Sequence, residues 1–219
     1  MSESPETISS FLASPVKLKE IKLYGIENYG SAVAPFYSTL AIWVGGVIMA
    51  AMLKTAVSQT TMDKLKNPKQ RHLYLGRMVL FLLLGLFQSG LICLGDLYFL
   101  GIQCKQPLLF LLAGWFTSMV YVNIIYALSV SFGDIGKAIC VVLMVMQVAG
   151  SGGTFPIQVA PEFFQKVYPL LPFTHSMNAM RECIAGFYGN NYWQEMGMLA
   201  LFLIPSLLLG LLLRNQSFN

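Results

Sequence analysis

Charge is what this sequence has least of. Of its 219 residues 14 are Lys or Arg and 10 are Asp or Glu, together 11%, where a soluble domain carries about 25%. Hydrophobic residues reach 56% and the mean hydropathy is +0.63. The shortage therefore excludes an ordinary soluble domain and points to an integral membrane chain. The net charge of +4 comes without a basic cluster interleaved with aromatics, so it bears on membrane topology and not on nucleic acid. Catalytic and nucleotide signatures are missing too: there is no GxxxxGK[ST], no HExxH, no GxSxG and no CxxC. The two histidines, His72 and His175, are too isolated to suggest a metal or a catalytic base, and His175 reads as an interfacial or capping side chain. No enzyme, metal or cofactor is expected. The first residues lack a basic stretch leading into an apolar core, which excludes a signal peptide. Their Ser, Pro and charged residues suit a linker or the last piece of a larger domain.

What is present is a series of apolar runs. Five are close to the roughly 20 residues that cross about 30 Å of hydrocarbon: 34–53, 73–94, 107–130, 138–155 and 196–213. The loop after the first carries Lys54, Lys64, Lys66, Lys69, Arg71 and Arg77 against only Asp63. The positive-inside rule makes it cytoplasmic and fixes the rest by alternation, with the N-terminus outside and the C-terminus inside. An outside N-terminus without a signal is awkward, and an additional upstream helix would remove the difficulty. The expected division is an extracellular remnant over 1–32, a transmembrane domain over 33–214 and a cytoplasmic tail over 215–219.

The chain is organised around 150–186, between the last two runs. Gly150, Gly152 and Gly153 free the backbone, and Pro156, Pro161, Pro169 and Pro172 remove amide donors, so a continuous membrane helix must stop here. The letters PEFFQ at 161–165 suggest a short helix lying at the membrane surface, with Pro161 at its first position. The stretch 174–187 reads the same way. Met177, Met180, Ile184 and Phe187 recur at helical spacing, and Asn178, Arg181, Glu182 and Cys183 fall elsewhere. The whole region is either an outer gate or a structured loop.

Polar residues inside the spans are few and neutral. Gln88, Asn123 and Gln147 are the candidate pathway groups, and helix-to-helix hydrogen bonding is the commoner role for such residues. The absence of a charged residue at mid-depth weakens an ion-coupled carrier. On the first span Gly45, Gly46, Ala50 and Ala51 would admit a close neighbour. Tyr98, Phe99, Tyr188, Tyr192 and Trp193 flank spans as an aromatic belt would. Cys140 reads as a small core residue, whereas Cys93, Cys104 and Cys183 would all lie at or beyond the outer face, with pairing left open.

Three stretches resemble the C-terminal membrane region of the phage infection protein (YhgE/Pip) family, a branch of the type-2 ABC transporter permeases. They are ASPVKLKEIKLYGIENYGSAVAPFYSTLAIWVGG at 13–46, SFGDIGKAICVVLMVMQVAGSGGTFPIQVAPEFFQKVYPLLPFTHSMNAMRECIAG at 131–186, and the apolar closing span. The resemblance implies an all-α membrane protein of about five transmembrane helices with a re-entrant or interfacial outer helical region. Members resemble six-span proteins in which a first helix and a long extracellular domain precede five helices, and this chain has the last five. The resemblance further implies a coupling helix at 55–70 that touches an ABC ATPase subunit through Asp63, Lys64 and Lys66. It also implies a gate shaped by Gly153, Pro156, Pro161, Pro172 and Arg181, and a path between two such subunits in a homodimer or paired permease. The expected function is export of an apolar or amphipathic substrate across the plasma membrane by energy from a separate ATPase. The alternative is a non-transporting cell-envelope anchor of a phage receptor or a secretion-associated protein.

Overall fold

A computed structural model describes residues 25–26, 28–54 and 70–212 of the chain. Among them every regular element is helical. The elements are α1 (Tyr29–Met52), α2 (Gln70–Tyr98), α3 (Pro107–Phe132), α4 (Asp134–Gly150), α5 (Glu162–Val167), α6 (Pro172–Ala185), α7 (Asn191–Leu201) and α8 (Leu203–Leu212). Two single 3-10 turns, Ile157–Val159 and Tyr168–Leu170, flank α5. Four helices are long and apolar enough to cross a membrane: Tyr29–Met52, His72–Tyr98, Pro107–Phe132 and the α7–α8 run Asn191–Leu211.

The fourth expected span starts four residues earlier and ends five residues earlier than its letters suggested. α4 has 17 residues and stops at Gly150, not at 155. Gly152 takes a left-handed φ of +65°, which turns the chain out of the helix where a Cβ would be strained. At about 1.5 Å per residue α4 spans roughly 25 Å, less than the hydrocarbon thickness. The closing span also differs from expectation. It starts at Asn191 and breaks at Phe202, because Pro205 has no N–H for the carbonyl one turn earlier.

Local signals account for the other ends. Asn28 caps α1 by accepting the Ser31 amide at 2.8 Å. Pro107 opens α3, where its missing donor costs nothing. α3 and α4 are joined through Gly133 alone, and a Cβ on Gly136 would run into the Leu128 carbonyl, so only glycine permits the tight return.

α3 is the centre of the bundle. Its apolar stretch is 56% buried, against 28% for α2 and 17% for α7–α8, and it touches α1, α2, α4, α6, α7 and α8. Trp43 packs edge-on to Tyr121 with ring centroids 4.9 Å apart and donates to the Cys140 carbonyl at 3.2 Å. That arrangement fastens α1, α3 and α4 together. The outward faces of α2 and α8 carry Leu83, Phe87, Leu91, Ile204 and Leu208, as a helix facing lipid does.

Candidate functional site

The backbone leaves α4 at Gly150 and does not re-enter a long helix until Pro172. Gly153 sits so close to Phe36 of α1 that a Cβ there would overlap the ring. Phe36 in turn packs on Phe173 of α6, with ring centroids 5.6 Å apart. Pro156 precedes the first 3-10 turn, Pro161 caps α5 from outside, one residue before the expected position, and Pro172 is the first residue of α6. The segment is pinned at both ends. Arg181 Nη2 donates to the Gly152 carbonyl at 3.3 Å, and Gln147 Oε1 accepts the Phe173 amide at 3.2 Å. The five gate residues expected from the sequence thus all lie in this segment or against it.

α6 is where the structure most corrects the sequence. It does not lie at the surface with a wet polar face. It packs inside, against α1, α3, α4 and α7, and Met177, Met180, Cys183 and Ile184 are fully buried. Glu182 is buried as well, and Phe187, expected on the apolar face, is half exposed. The reason is that the polar groups of α6 find partners within the protein. Glu182 accepts the Tyr188 amide at 2.7 Å and faces Asn191 Nδ2 at 3.4 Å. The orphan carbonyl of Cys183, near the helix end at Gly186, accepts the amides of Lys105 and Gln106, each at 3.1 Å.

His175 holds two elements at once. Its Nδ1 lies 2.5 Å from Glu195 Oε2 on α7 and its Nε2 lies 2.9 Å from the Pro169 carbonyl in the segment before α6. Both neighbours are acceptors when Glu195 is ionised, so both bonds form together only with the imidazolium. Burial opposes that charge, but the bonds to Glu195 and Pro169 outweigh it and raise the His175 pKa above its ordinary value. Asn178 Nδ2 donates to the other Glu195 oxygen at 3.1 Å and to Tyr168 at 3.2 Å. Beside this network Asn178, Arg181, Glu182, Asn191 and Glu195 line a polar cavity of about 360 Å³. No local pattern announces the pairing of His175 and Glu195, since the two are 20 residues apart on different helices.

A second, apolar cavity of about 290 Å³ lies between α3, α4 and α8, beneath Leu170, Leu171 and Pro172. Gln147 lines it; its Nε2 is buried with no partner among the described residues.

The candidate pathway groups do not converge. Gln88 Nε2 donates to the Ala41 carbonyl at 3.0 Å and fills the space above Gly45, tying α2 to α1. Asn123 Nδ2 donates to Ser206 Oγ at 2.8 Å, tying α3 to α8. Of the three, Gln147 lines the apolar cavity. Asp63, Lys64 and Lys66 lie outside the described residues.

Asp96 was missed. The loop was expected to begin at Gly95, but α2 runs on to Tyr98, which leaves Asp96 almost fully buried and bonded to Ser38 of α1. The signal for it was the apolar stretch Leu97–Leu100 following the aspartate. Tyr192 likewise belongs to the core and not to an aromatic belt: it is buried, stacks on Phe187 and donates to the Leu109 carbonyl at 3.1 Å. All four cysteines are free thiols, and Cys104 Sγ lies 3.5 Å from the Cys183 carbonyl.

The sequence profile of the ABC-2 family transporter proteins matches residues 3–212 of this chain. The uncharacterized protein YhgE of Bacillus subtilis (strain 168) is 28% identical over 192 residues, which cover 85% of this chain and 24% of the relative. The chain thus spans about a quarter of that relative's length. No solved structure matches it. A profile match over almost the entire length, on a bundle of long apolar helices, has one conclusion: the chain is a multi-pass membrane protein and belongs to the ABC-2 family of transporter proteins.

Proposed function

We propose that the chain is the membrane-embedded permease part of an exporter that moves an apolar or amphipathic molecule, with energy supplied by a separate ATPase. The observation that carries the proposal is the segment 151–171 packed across one end of an ABC-2 bundle, pinned at Gly152 by Arg181 and at Phe173 by Gln147. Such a segment has two anchored ends and few buried residues between them, so it can be displaced without unpacking α3. In this reading Gly153, Pro156, Pro161, Pro172 and Arg181 shape the outer gate. Residues 55–70, with Asp63, Lys64 and Lys66, form the surface that meets the ATPase. The basic loop is cytoplasmic, the N-terminus outside and the C-terminus inside, and two copies or a pair of permeases enclose the path. The apolar spans suit an amphipathic cargo better than an ion.

Purification of the intact chain from its native membrane in mild detergent tests this reading. A stoichiometric ATPase should co-purify, and replacement of Asp63, Lys64 and Lys66 by Ala should remove it and abolish ATP-dependent efflux from reconstituted vesicles. Recovery with envelope or secretion proteins alone would replace the permease reading with the anchor reading.

A further inference from the structure

The apolar cavity has a polar end and an apolar end. Gln147 stands one turn from the end of α4, level with Leu171 and Pro172 of the gate segment. From there the walls run away from the gate along Leu143, Leu128 and Leu209, with no charged residue among them. Along α8 the wall from Phe202 to Leu209 is ~10 Å long at ~1.5 Å per residue. A volume of about 290 Å³ sits at the lower edge of the roughly 300–1,000 Å³ of small-ligand pockets. It fits one acyl chain segment and excludes a folded peptide.

The polar end supplies a requirement. Gln147 is 1% exposed and its Oε1 is taken by the Phe173 amide, which leaves Nε2 buried without a partner. A buried unpaired amide donor is costly, and a ligand acceptor would relieve it. Ser206, on the opposite wall, already accepts from Asn123 Nδ2 and donates to the Phe202 carbonyl.

We infer that this cavity binds a single-chain amphiphile, its acyl chain between α3, α4 and α8 and a carbonyl or carboxylate oxygen at its head accepting from Gln147 Nε2. The inference deepens the permease reading by naming a substrate class. Because Gln147 also carries the Phe173 end of the gate, an occupied cavity would bear directly on the element that has to move.

The test uses the full chain in phosphatidylcholine nanodiscs, with no ATP and no ATPase, so that its failure would leave the ATPase experiment above undecided. The probe is palmitic acid carrying a mid-chain photoreactive diazirine. Saturable labelling is expected on Leu128, Leu143 and Leu209, suppressed by excess palmitic acid and lost in Leu209→Trp, which fills the space. A photoreactive alkane of equal length, lacking the acceptor, should bind about tenfold more weakly, and Gln147→Leu should erase that difference. The erased difference is the readout a purely structural glutamine would not produce. Leu143→Phe serves as a milder filling variant if Leu209→Trp lowers the yield of folded protein. Labelling that never saturates and spreads over Leu83, Phe87 and Leu91, or that survives both filling variants, would overturn the inference.

Discussion

His175 is the residue with the most at stake, because one protonation state serves both of its bonds. Its folded pKa is raised, so the stabilisation it gives is fully present below the unfolded value and is lost as pH rises through the folded one. The groups facing it are Glu195 from α7, the Pro169 carbonyl from the gate and the Phe202 ring, 6.1 Å away. Thermal unfolding of the detergent-solubilised chain, followed between pH 5.5 and 9, should show the midpoint falling as pH rises above about 6.5. His175→Phe should flatten that profile and cost about 1–2 kcal/mol at the acid end, because the Pro169 carbonyl and one oxygen of the partly exposed Glu195 carboxylate lose their donor while Asn178 still holds the other oxygen. A wild-type profile as flat as that of the variant would show that His175 stays neutral.

At the scale of the element, the packing of the segment 151–171, the gate in the proposed reading, depends on the absence of a side chain at one position. Gly153→Ala should push the Phe36 ring out of its place against Phe173 and loosen the segment 151–171 while α1, α2 and α3 stay packed. Overpacking of this kind costs about 1–3 kcal/mol. Hydrogen exchange should therefore quicken in the gate and stay unchanged in α3. Equal acceleration in both would mean that the gate and the bundle unfold as one unit.

The elements also show what could be read from the letters and what could not. The existence of α1, α2 and α3 followed from long apolar runs, and that the helix must stop within 150–186 followed from the glycines and prolines there. α5 was visible in PEFFQ. The burial of α6 was not. A helix with Asn178, Arg181 and Glu182 looks interfacial until Tyr188, Asn191, Glu195 and the Gly152 carbonyl are brought against it, and those contacts are tertiary. The end of α4 was misplaced because Ser151, Thr154 and Phe155 are acceptable in a membrane helix and only the backbone turn at Gly152 decides the matter. Gln88, Asn123 and Gln147 stood out as costly polar groups, yet nothing in the sequence distinguished the one that lines a cavity from the two that join helices.

For the whole molecule, orientation is the property that the charge pattern predicts and that labelling can measure. Single cysteines introduced at Lys64 and at Gln158, in a chain whose four native cysteines are replaced by alanine or serine, should react oppositely with a membrane-impermeant maleimide added to intact cells. Gln158 should label and Lys64 should not until the membrane is opened. The reverse pattern would invert every assignment of inside and outside made above.

The central position of α3 has a consequence for how the molecule is made. Helices enter a bilayer in the order in which they are synthesised, and the Asn123 partner, Ser206, is 83 residues further on, in the last helix. When α3 emerges it carries Thr117, Ser118, Asn123 and Ser129 into a setting where the side chain that will bond Asn123 does not yet exist. The bond between α3 and α8 can therefore form only after α8 has been made. A chain stopped before Ser206 would leave the Asn123 amide of α3 without the hydroxyl it bonds in the folded molecule.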